Sequence, residues 1–225
     1  MQLETIKDNR NSPVKYAVLI ALFVLPLVIY LLSASGEELF NLLPQLTKDV
    51  SNLEEFEDLE GNKVSLDNKI TILGFFGDTP ESKKGNALNL NEKIYKRNYK
   101  FDDFQFVILI SEEGKDQAIE LRNKIEAYTS TEKWIFAVGS KDAISNIFNS
   151  LKTDMSLSPN YSTPYVFIID KEQILRGREN DEDNGLMYGY NSSDIAEISN
   201  KMVADVKVIL AEYRRALKKY NSDRK

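Results

Sequence analysis

The sequence predicts an α/β domain attached to one membrane-spanning helix. Three observations carry this prediction: an uncharged apolar run near the N-terminus, four short apolar runs further along the chain, and amphipathic patterns between those runs. Strands that alternate with helices of this length are typical of βαβ units, in which helices cover a central sheet. We therefore expect residues 1–15 to form a tail, 16–35 a transmembrane helix, 36–52 a linker and 53–225 the folded domain.

The apolar run extends from Tyr16 to Leu32 and contains no charged residue. With the small residues 33–36 it approaches the roughly 20 residues needed to cross the hydrocarbon core of a bilayer. Basic residues precede the run and acidic residues follow it, namely Lys7, Arg10, Lys15, Glu37 and Glu38. The positive-inside rule then places the N-terminus in the cytoplasm and the domain outside it. We therefore expect a protein of the cell (inner) membrane with a periplasmic or otherwise extracytoplasmic domain.

A cleaved signal peptide is the alternative, because "SAS" at Ser33–Ser35 resembles a small-residue cleavage site. The apolar run is longer than the apolar region of a signal peptide, which is usually about 7 to 15 residues, and this favours a retained anchor. A buried globular helix is disfavoured because the segment has no polar face. The connection that follows, 37–60, is acid-rich and reads as part linker and part first strand.

The four apolar runs of the domain are rich in β-branched and aromatic residues, which indicates strands covered on both faces. They are "KITILGFF" (69–76), "FQFVILIS" (104–111), "KWIFAVG" (133–139) and "YVFIID" (165–170). Two helical stripes lie between them, formed by Leu121, Ile125 and Tyr128 and by Ile144, Ile147, Phe148 and Leu151. Each stripe gives one apolar face that can cover the sheet.

The last predicted element is a long helix over residues 192–219. Its apolar residues repeat at helical spacing on one face, namely Ile195, Ile198, Met202, Val206, Ile209 and Tyr213. At about 1.5 Å per residue the helix is about 40 Å long. The stripe predicts a helix that covers the sheet, and its outer half is the candidate to dock on a partner.

Composition excludes most catalytic repertoires. The 225 residues include no Cys and no His, so thiolate nucleophiles, disulfides, thiolate metal sites and the usual neutral-pH base are absent. Lys and Arg number 29 against 35 acidic residues, giving a formal net charge of -6. Nucleic acid is not an expected partner, because that function requires a clustered basic surface.

The order of elements and several local motifs resemble the Sco/SenC family, a branch of the thioredoxin-like fold, from about Leu53 to Leu175. "EGNKVSL" (60–66) is similar to the family's opening turn, and "KWIFAVGSKDAISNIF" to its W-x-x-x-x-G segment and following helix. The family's active-site loop reads F-[ST]-x-C-P-D-x-C-P, and "FGDTPESKK" (76–84) lies on it in register. The resemblance implies a membrane-anchored thioredoxin-like domain and partners in the assembly of respiratory oxidases.

The site residues depart from the family pattern. Pro80 and Glu81 match it, but Thr79 and Lys83 occupy the two cysteine positions. The family's copper-binding His would fall around Tyr161 or Ser162, and the resemblance makes Pro164 the candidate for the cis proline of this fold. Copper is held there by thiolates and an imidazole, which hydroxyl and ammonium groups do not replace, and thiol exchange requires a thiolate. We therefore predict no bound metal, no cofactor and no catalytic residue.

The polar groups and the methionines allow three further interpretations. The acidic segment "RENDEDNG" (178–185) offers carboxylates to calcium but lacks the spacing of an EF-hand, which favours a solvated loop. Asp78 and Glu81 could form an acid and base pair, although two exposed carboxylates occur on most surfaces. Met155 and Met187 are more typical of packing groups than of a copper site.

The sequence therefore predicts a redox-inactive binding or assembly module rather than an enzyme. The alternative is a structural subunit or tether of a membrane complex that docks through its C-terminal helix. An enzyme using Asp78, Thr79, Glu81 or Lys83 would require a strongly shifted pKa in a closed pocket. The expected partners are the membrane and respiratory oxidase subunits or assembly factors.

Overall fold

The computed structural model describes residues 13–35 and 42–222 of the chain. These residues fall into two separate units, which meet between Asn41 and Leu42 in sequence. Most of the predicted tail (1–15) and the first part of the predicted linker lie outside the described residues.

The first unit contains one helix, α1 (Pro13–Ser35), which runs through Pro26 without a break. Its described large apolar side chains, from Tyr16 to Tyr30, are 43% to 68% exposed. Within the described part of the chain, no helix combines the length and the hydropathy that crossing a membrane requires. The assignment of 16–35 to a transmembrane helix stays a prediction of the sequence.

The second unit is the folded domain, and it begins at Leu42 rather than at residue 53. Leu43 and Val50 are buried, and the short strand Gln45–Thr47 pairs with the sheet. Residues 42–52 therefore belong to the fold and not to a linker.

The domain alternates strands and helices in the predicted order. Its strands are β1 (Gln45–Thr47), β2 (Ile70–Gly77), β3 (Phe104–Ser111), β4 (Trp134–Gly139), β5 (Tyr165–Ile169), β6 (Leu175–Arg176), β7 (Arg178–Asp181), β8 (Gly185–Met187) and β9 (Tyr190–Asn191). Its helices are α2 (Lys84–Leu90), α3 (Lys96–Asn98), α4 (Lys115–Glu126), α5 (Lys141–Ser150), α6 (Ile195–Glu197) and α7 (Val203–Ser222). Single π-helical turns join α2 to α3 (Asn91–Tyr95) and α6 to α7 (Ile198–Met202).

Seven strands form the main sheet, in the order β1-β6-β5-β2-β3-β4, with β9 also paired to β5. Strands β2, β3 and β4 are parallel, and their register places Ile72 beside Phe106 and Phe106 beside Trp134. Strand β5 runs antiparallel to β2 and continues into a hairpin with β6. The strands β7 and β8 form a separate two-stranded sheet.

Both faces of the sheet are covered, as the unbroken apolar runs predicted. Alternate residues of β2 enter two different cores, with Ile72 in one and Leu73 in the other. The first core includes the inner faces of α4 and α7, and the second includes that of α5. The stripe predicted for α5 is buried throughout, whereas Tyr128 is 65% exposed because α4 ends before it, at Glu126.

The C-terminal helix begins at Ile195 instead of Ser192. Its start is fixed by Asp194, whose side chain accepts hydrogen bonds from the backbone N–H groups of Ala196 and Glu197. The predicted stripe packs into the core from Ile198 onward, but Ile195 is 51% exposed. The inner face of this helix therefore covers the sheet.

Candidate functional site

The candidate site lies at the carboxyl ends of the parallel strands, and this end of the sheet is called the site edge below. The carboxyl ends of β2, β3 and β4 meet at one edge, and the loop that precedes β5 reaches the same edge because β5 is antiparallel to β2. The first group of predicted site residues, Thr79, Pro80, Glu81 and Lys83, follows β2. The second group, Ser162 and Pro164, precedes β5, so the fold brings both groups together.

The two loops are held against each other by backbone contacts. The N–H of Asp78 donates to the carbonyl of Asn160 at 2.9 Å, and the N–H of Thr163 donates to the carbonyl of Phe75 at 3.0 Å. Gly77 makes this approach sterically accessible, since it has φ +58 and a Cβ there would lie 1.9 Å from the carbonyl oxygen of Asn160. The loop geometry is therefore built into the end of strand β2.

Thr79, at the first cysteine position of the resemblance, has a structural role. Its Oγ1 accepts a hydrogen bond from Nδ2 of Asn160 at 2.8 Å. Its carbonyl accepts bonds from the backbone and the hydroxyl of Ser82, at 3.0 and 2.7 Å. These contacts fix the short 3₁₀ turn Pro80–Lys83 to the loop before β5.

Glu81 and Lys83, within that turn, have different surroundings. One carboxylate oxygen of Glu81 lies 2.7 Å from Nζ of Lys124 on α4, and the other is buried without a hydrogen-bond donor among the described residues. Lys83, at the second cysteine position, is half-buried, and burial lowers the pKa of its ammonium group. This shift has the direction that a reactive lysine requires, but no ion pair or hydrogen bond within the described residues orients the group.

Ser162 and Pro164 complete the second loop. Ser162 is 2% exposed, and its Oγ donates to Oδ1 of Asn160 at 2.9 Å. The prediction of a cis peptide bond at Pro164 is wrong, because no peptide bond in the described residues is cis. The carbonyl of Pro164 instead accepts a hydrogen bond from the backbone N–H of Ser192, at 2.9 Å.

An ion pair that the sequence analysis missed crosses this edge. Nζ of Lys141, at the start of α5, lies 3.2 Å from Oδ2 of Asp78 and 3.0 Å from Oε1 of Glu113. The same ammonium group lies 5.6 Å from the ring centroid of Tyr161, within cation–π range. Residues from three other loops thus surround the ammonium group of Lys141. The available signal was topological, because Asp78, Glu113 and Lys141 follow the parallel strands that end at this edge, and Tyr161 precedes β5, which begins there.

The ion pair makes Lys141 a fixed cation rather than a base. Hydrogen bonds to Glu113 and Asp78 raise the pKa of Lys141, and the hydrogen bond from Lys141 lowers the pKa of the Glu113 carboxyl. Both changes favour the charged forms at neutral pH. The second oxygen of Asp78, Oδ1, is buried without a donor among the described residues. A lysine that stays protonated at neutral pH does not act as a general base or as a nucleophile.

The other polar candidates are occupied by structural contacts. The segment 178–185 forms the β7–β8 hairpin, where Asp181 pairs with Lys201 and with Arg178. No cluster of three or more potential metal ligands of the His, Cys, Asp or Glu type occurs in the part of the chain that the structure describes. Met187 is buried and Met155 packs against the second core, as expected for packing groups.

Solved structures with the same fold include Sco proteins. A SCO1/SenC family lipoprotein from Bacillus anthracis str. Ames has a TM-score of 0.52 and 15% identity, covering 75% of this chain and 99% of that chain. BsSco, a member of the Sco family of cytochrome c oxidase assembly proteins, has a TM-score of 0.50 and 14% identity, covering 74% and 95%. A protein proposed to be a disulfide isomerase, from Bacteroides thetaiotaomicron, has a TM-score of 0.52 and 11% identity, covering 78% and 98%.

At these identities the similarity establishes the fold. No family model and no curated protein matches the sequence. The predicted thioredoxin-like fold is confirmed, and the resemblance to Sco/SenC proteins is confirmed at the level of fold. The chain contains no cysteine.

Proposed function

We propose that this protein is a redox-inactive, thioredoxin-like module that binds partner proteins during the assembly of a membrane complex. One observation carries the proposal: the ammonium group of Lys141 is fixed between Asp78 and Glu113 at the edge where thiol chemistry would otherwise be expected. The hydroxyl groups of Thr79 and Ser162 both bond to the side chain of Asn160. The edge is therefore a preformed polar surface, and recognition is the function that such a surface supports.

The chemistry of the side chains argues against redox or copper function. Thiol exchange requires a thiolate, and soft thiolate and imidazole ligands select copper, whereas this chain has neither Cys nor His. Thr79 and Lys83 provide a hydroxyl and a partly desolvated ammonium group in place of the two thiols. We therefore propose a non-enzymatic role.

The proposed setting is respiratory oxidase biogenesis at the membrane. BsSco, which shares the fold, belongs to a family of cytochrome c oxidase assembly proteins. Tyr16 to Leu32 contains no charge and is flanked by basic residues before it and acidic residues after it, which supports an inner-membrane anchor with the domain in the periplasm. An anchored domain of this kind would meet partners at the membrane surface.

A structural subunit of a membrane complex is the second candidate. The observation in its favour is that α7 continues to Ser222 and packs against the core through residues such as Val206, Ile209 and Tyr213. A long amphipathic helix of this kind is an element that can dock on another subunit. Stoichiometry separates the two functions, because a subunit stays bound and an assembly factor dissociates.

The test is affinity purification of the full-length protein from detergent-solubilised membranes, followed by mass spectrometry. Recovery of oxidase subunits or their assembly factors in substoichiometric amounts supports the proposed function. Recovery of one partner at equal stoichiometry favours the structural subunit. Absence of any respiratory partner contradicts the link to the oxidase.

A Cu(I) competition titration of the same preparation tests the absence of copper chemistry. The expected result is no retention of Cu(I) against a chelator of moderate affinity, because the chain lacks thiolate and imidazole ligands. Tight binding of one equivalent would contradict the proposal and would indicate a ligand set not recognised in the structure.

A further inference from the structure

The β7–β8 hairpin carries an exposed Asn–Gly pair at its tip. Strand β7 ends at Asp181, a turn covers residues 182–184, and strand β8 begins at Gly185. Asn184 and Gly185 are both exposed, and they form the single Asn–Gly pair in the sequence. Exposed loop tips are the parts of a folded domain where the backbone is most easily reached by water and most easily moved.

An asparagine that precedes a glycine can lose its side-chain amide without an enzyme. The backbone nitrogen of the glycine gives up its proton to water or hydroxide and attacks the side-chain carbonyl carbon, Cγ, of the asparagine. A C–N bond forms, the bond from Cγ to Nδ2 breaks, and ammonia leaves, so that the product is a cyclic imide (succinimide). Water then opens this ring at either of its carbonyl groups, which gives aspartate or isoaspartate in the chain.

The backbone at Gly185 leaves room for this attack. Gly185 has φ +66, and nothing lies within 4 Å of the position that a Cβ would occupy. Because glycine has no side chain and a wide range of backbone conformations, its nitrogen is unshielded and the peptide unit that joins it to Asn184 can rotate. The attacking atom is therefore accessible in the folded hairpin.

The side-chain amide of Asn184 is weakly held. Its Nδ2 lies 3.4 Å from Oδ1 of Asp181 and 3.6 Å from Sδ of Met187. The first distance is longer than that of an ordinary N–H···O hydrogen bond, about 2.7–3.2 Å, and a thioether is a weak acceptor. The amide can therefore leave these contacts and turn its Cγ toward the nitrogen of Gly185.

The product of the reaction would lie beside the charges that attach the hairpin to the C-terminal helix. Asp181 pairs with Lys201 of that helix, and it pairs with Arg178 at 3.1 Å. Arg178 in turn lies 2.6 Å from Oδ2 of Asp205. Deamidation of Asn184 replaces an N–H donor near Asp181 by a negatively charged oxygen. The two like charges repel each other and compete for the same lysine.

We propose that Asn184 is a site of spontaneous deamidation, and that the aspartate or isoaspartate formed there loosens the β7–β8 hairpin from the C-terminal helix. Aspartate adds a negative charge beside Asp181, and isoaspartate also lengthens the backbone of the turn. The substrate is the chain itself, and the co-reactant is water. The proposal goes beyond the binding function proposed above and does not depend on it.

The first experiment incubates the full-length chain in detergent micelles at mildly basic pH, in water enriched in heavy oxygen. Mass spectrometry of proteolytic peptides then measures the incorporation of heavy oxygen at each asparagine. The chain denatured in urea gives the rate without the hairpin. Asn149 is the internal control, because it is exposed and followed by Ser150 but lies within helix α5, which fixes its backbone.

The expected result is conversion of Asn184 in the folded chain while Asn149 stays intact. An intact Asn184 at the time when the denatured chain is fully converted would overturn the proposal. Equal rates at Asn184 and Asn149 in the folded chain would also overturn it, because they would indicate reaction through global unfolding.

Two variants test the chemistry. Gly185→Ala should slow the conversion several-fold, because the added Cβ shields the attacking nitrogen. Since alanine is strained at φ +66, Asn184→Gln is the second variant. It keeps the amide and the glycine, but its longer side chain closes a larger ring more slowly, so incorporation at this residue should also fall several-fold. Unchanged rates in both variants would contradict the proposed reaction.

The variant Asn184→Asp tests the consequence, because it supplies the aspartate product directly. Asn180→Asp is the matched control, since it adds the same charge at another exposed residue of the hairpin. Hydrogen exchange of the backbone amides of β8 should be several-fold faster in Asn184→Asp than in the native chain and nearly unchanged in Asn180→Asp. Equal exchange in the two variants would show that the charge at Asn184 does not loosen the hairpin, which would overturn the second part of the proposal.

Discussion

Nζ of Lys141 lies 3.2 Å from Oδ2 of Asp78, and this ion pair connects the end of strand β4 to the end of strand β2. Lys141 also reaches Glu113, after strand β3, at 3.0 Å. One side chain therefore ties together the three loops that follow the parallel strands. The ammonium group of Lys141 lies between two carboxylates, so its positive charge is compensated and the cluster holds the loops together.

Replacing Lys141 by Met should raise the pKa of Glu113 toward its ordinary range, because the hydrogen bond from Lys141 is the largest cause of its lowering. A carboxyl with a lowered folded-state pKa adds stability above its unfolded pKa, and this contribution is lost as pH falls through the folded value. The Lys141→Met variant should therefore lack this pH-dependent contribution of Glu113 to the free energy of unfolding. Carbon-detected NMR titration of labelled glutamate measures the change.

Lys84→Met, an exposed lysine of α2, is the control for this titration. It should leave the titration of Glu113 unchanged. An identical Glu113 titration in the native chain and in the Lys141→Met variant would show that the ion pair does not hold in solution.

Replacing Gly77 by Ala should destabilise the domain strongly. The added Cβ would lie 1.9 Å from the carbonyl oxygen of Asn160, at a residue with φ +58. Strain at a non-glycine residue with positive φ costs about 1–3 kcal/mol, and the clash adds to it, so we expect a loss of about 3 kcal/mol or more in the free energy of unfolding. Urea denaturation followed by circular dichroism measures the loss.

Gly85→Ala is the matched control, because nothing lies within 4 Å of its added Cβ and the residue is within helix α2. It should stabilise the domain by about 0.5–1 kcal/mol. Equal effects of the two substitutions would contradict the close contact between the loops at Gly77 and Asn160.

The strands and the fold class could be predicted because buried parallel strands are apolar at every position, a pattern that needs no knowledge of the neighbours. The apolar stripe of α5 was predicted correctly because helical spacing also needs no knowledge of the neighbours. Tyr128 was assigned to the α4 stripe wrongly, because the apolar spacing continues past Glu126, where α4 ends. The identity of the site loop followed from its motif. The contacts of the loop could not be predicted from the motif, because the ion pair of Lys141 and the hydrogen bond of Asn160 join residues far apart in the chain.

Replacing Asp181 by Asn should destabilise the β7–β8 hairpin at neutral pH. Asp181 is buried, and its hydrogen bond from Lys201, together with backbone N–H groups and Arg178, lowers its pKa to about 2. The carboxylate thus adds stability above its unfolded pKa of about 3.9, which is lost as pH falls toward 2. We expect a loss of about 1–3 kcal/mol at neutral pH.

The difference between native chain and variant should shrink between about pH 4 and pH 2. Denaturation at a series of pH values measures it, and Asp183→Asn is the control, because Asp183 also pairs with Lys201 but is 76% exposed. The control should change stability by less than about 1 kcal/mol. A difference for Asp181→Asn that does not vary with pH would show that charge is not the cause.

Replacing Tyr190 by Phe should weaken the attachment of the C-terminal helix. The hydroxyl of Tyr190 donates to Oδ2 of Asp205 at 2.6 Å, and both residues are buried. The substitution leaves this carboxylate short of one donor, which costs about 1–3 kcal/mol in the free energy of unfolding. Tyr128→Phe, at a residue that is 65% exposed, should stay within about 0.5 kcal/mol of the native chain. Similar values for the two variants in thermal or urea unfolding would argue against the role of the bond.

Introducing two thiols at Thr79 and Lys83 tests whether these positions of the loop converge. Thr79 precedes the turn Pro80–Lys83 and Lys83 is its last residue, so the variant Thr79→Cys/Lys83→Cys places a soft ligand at each end of the turn. We expect this variant to bind Cu(I) on the order of tenfold or more tightly than the native chain in a chelator competition. The single variant Thr79→Cys, which also loses the hydrogen bond from Asn160, is the control and should bind weakly. Equal binding by the single and double variants would mean that the two positions no longer converge, in which case the loop has lost the geometry as well as the ligands.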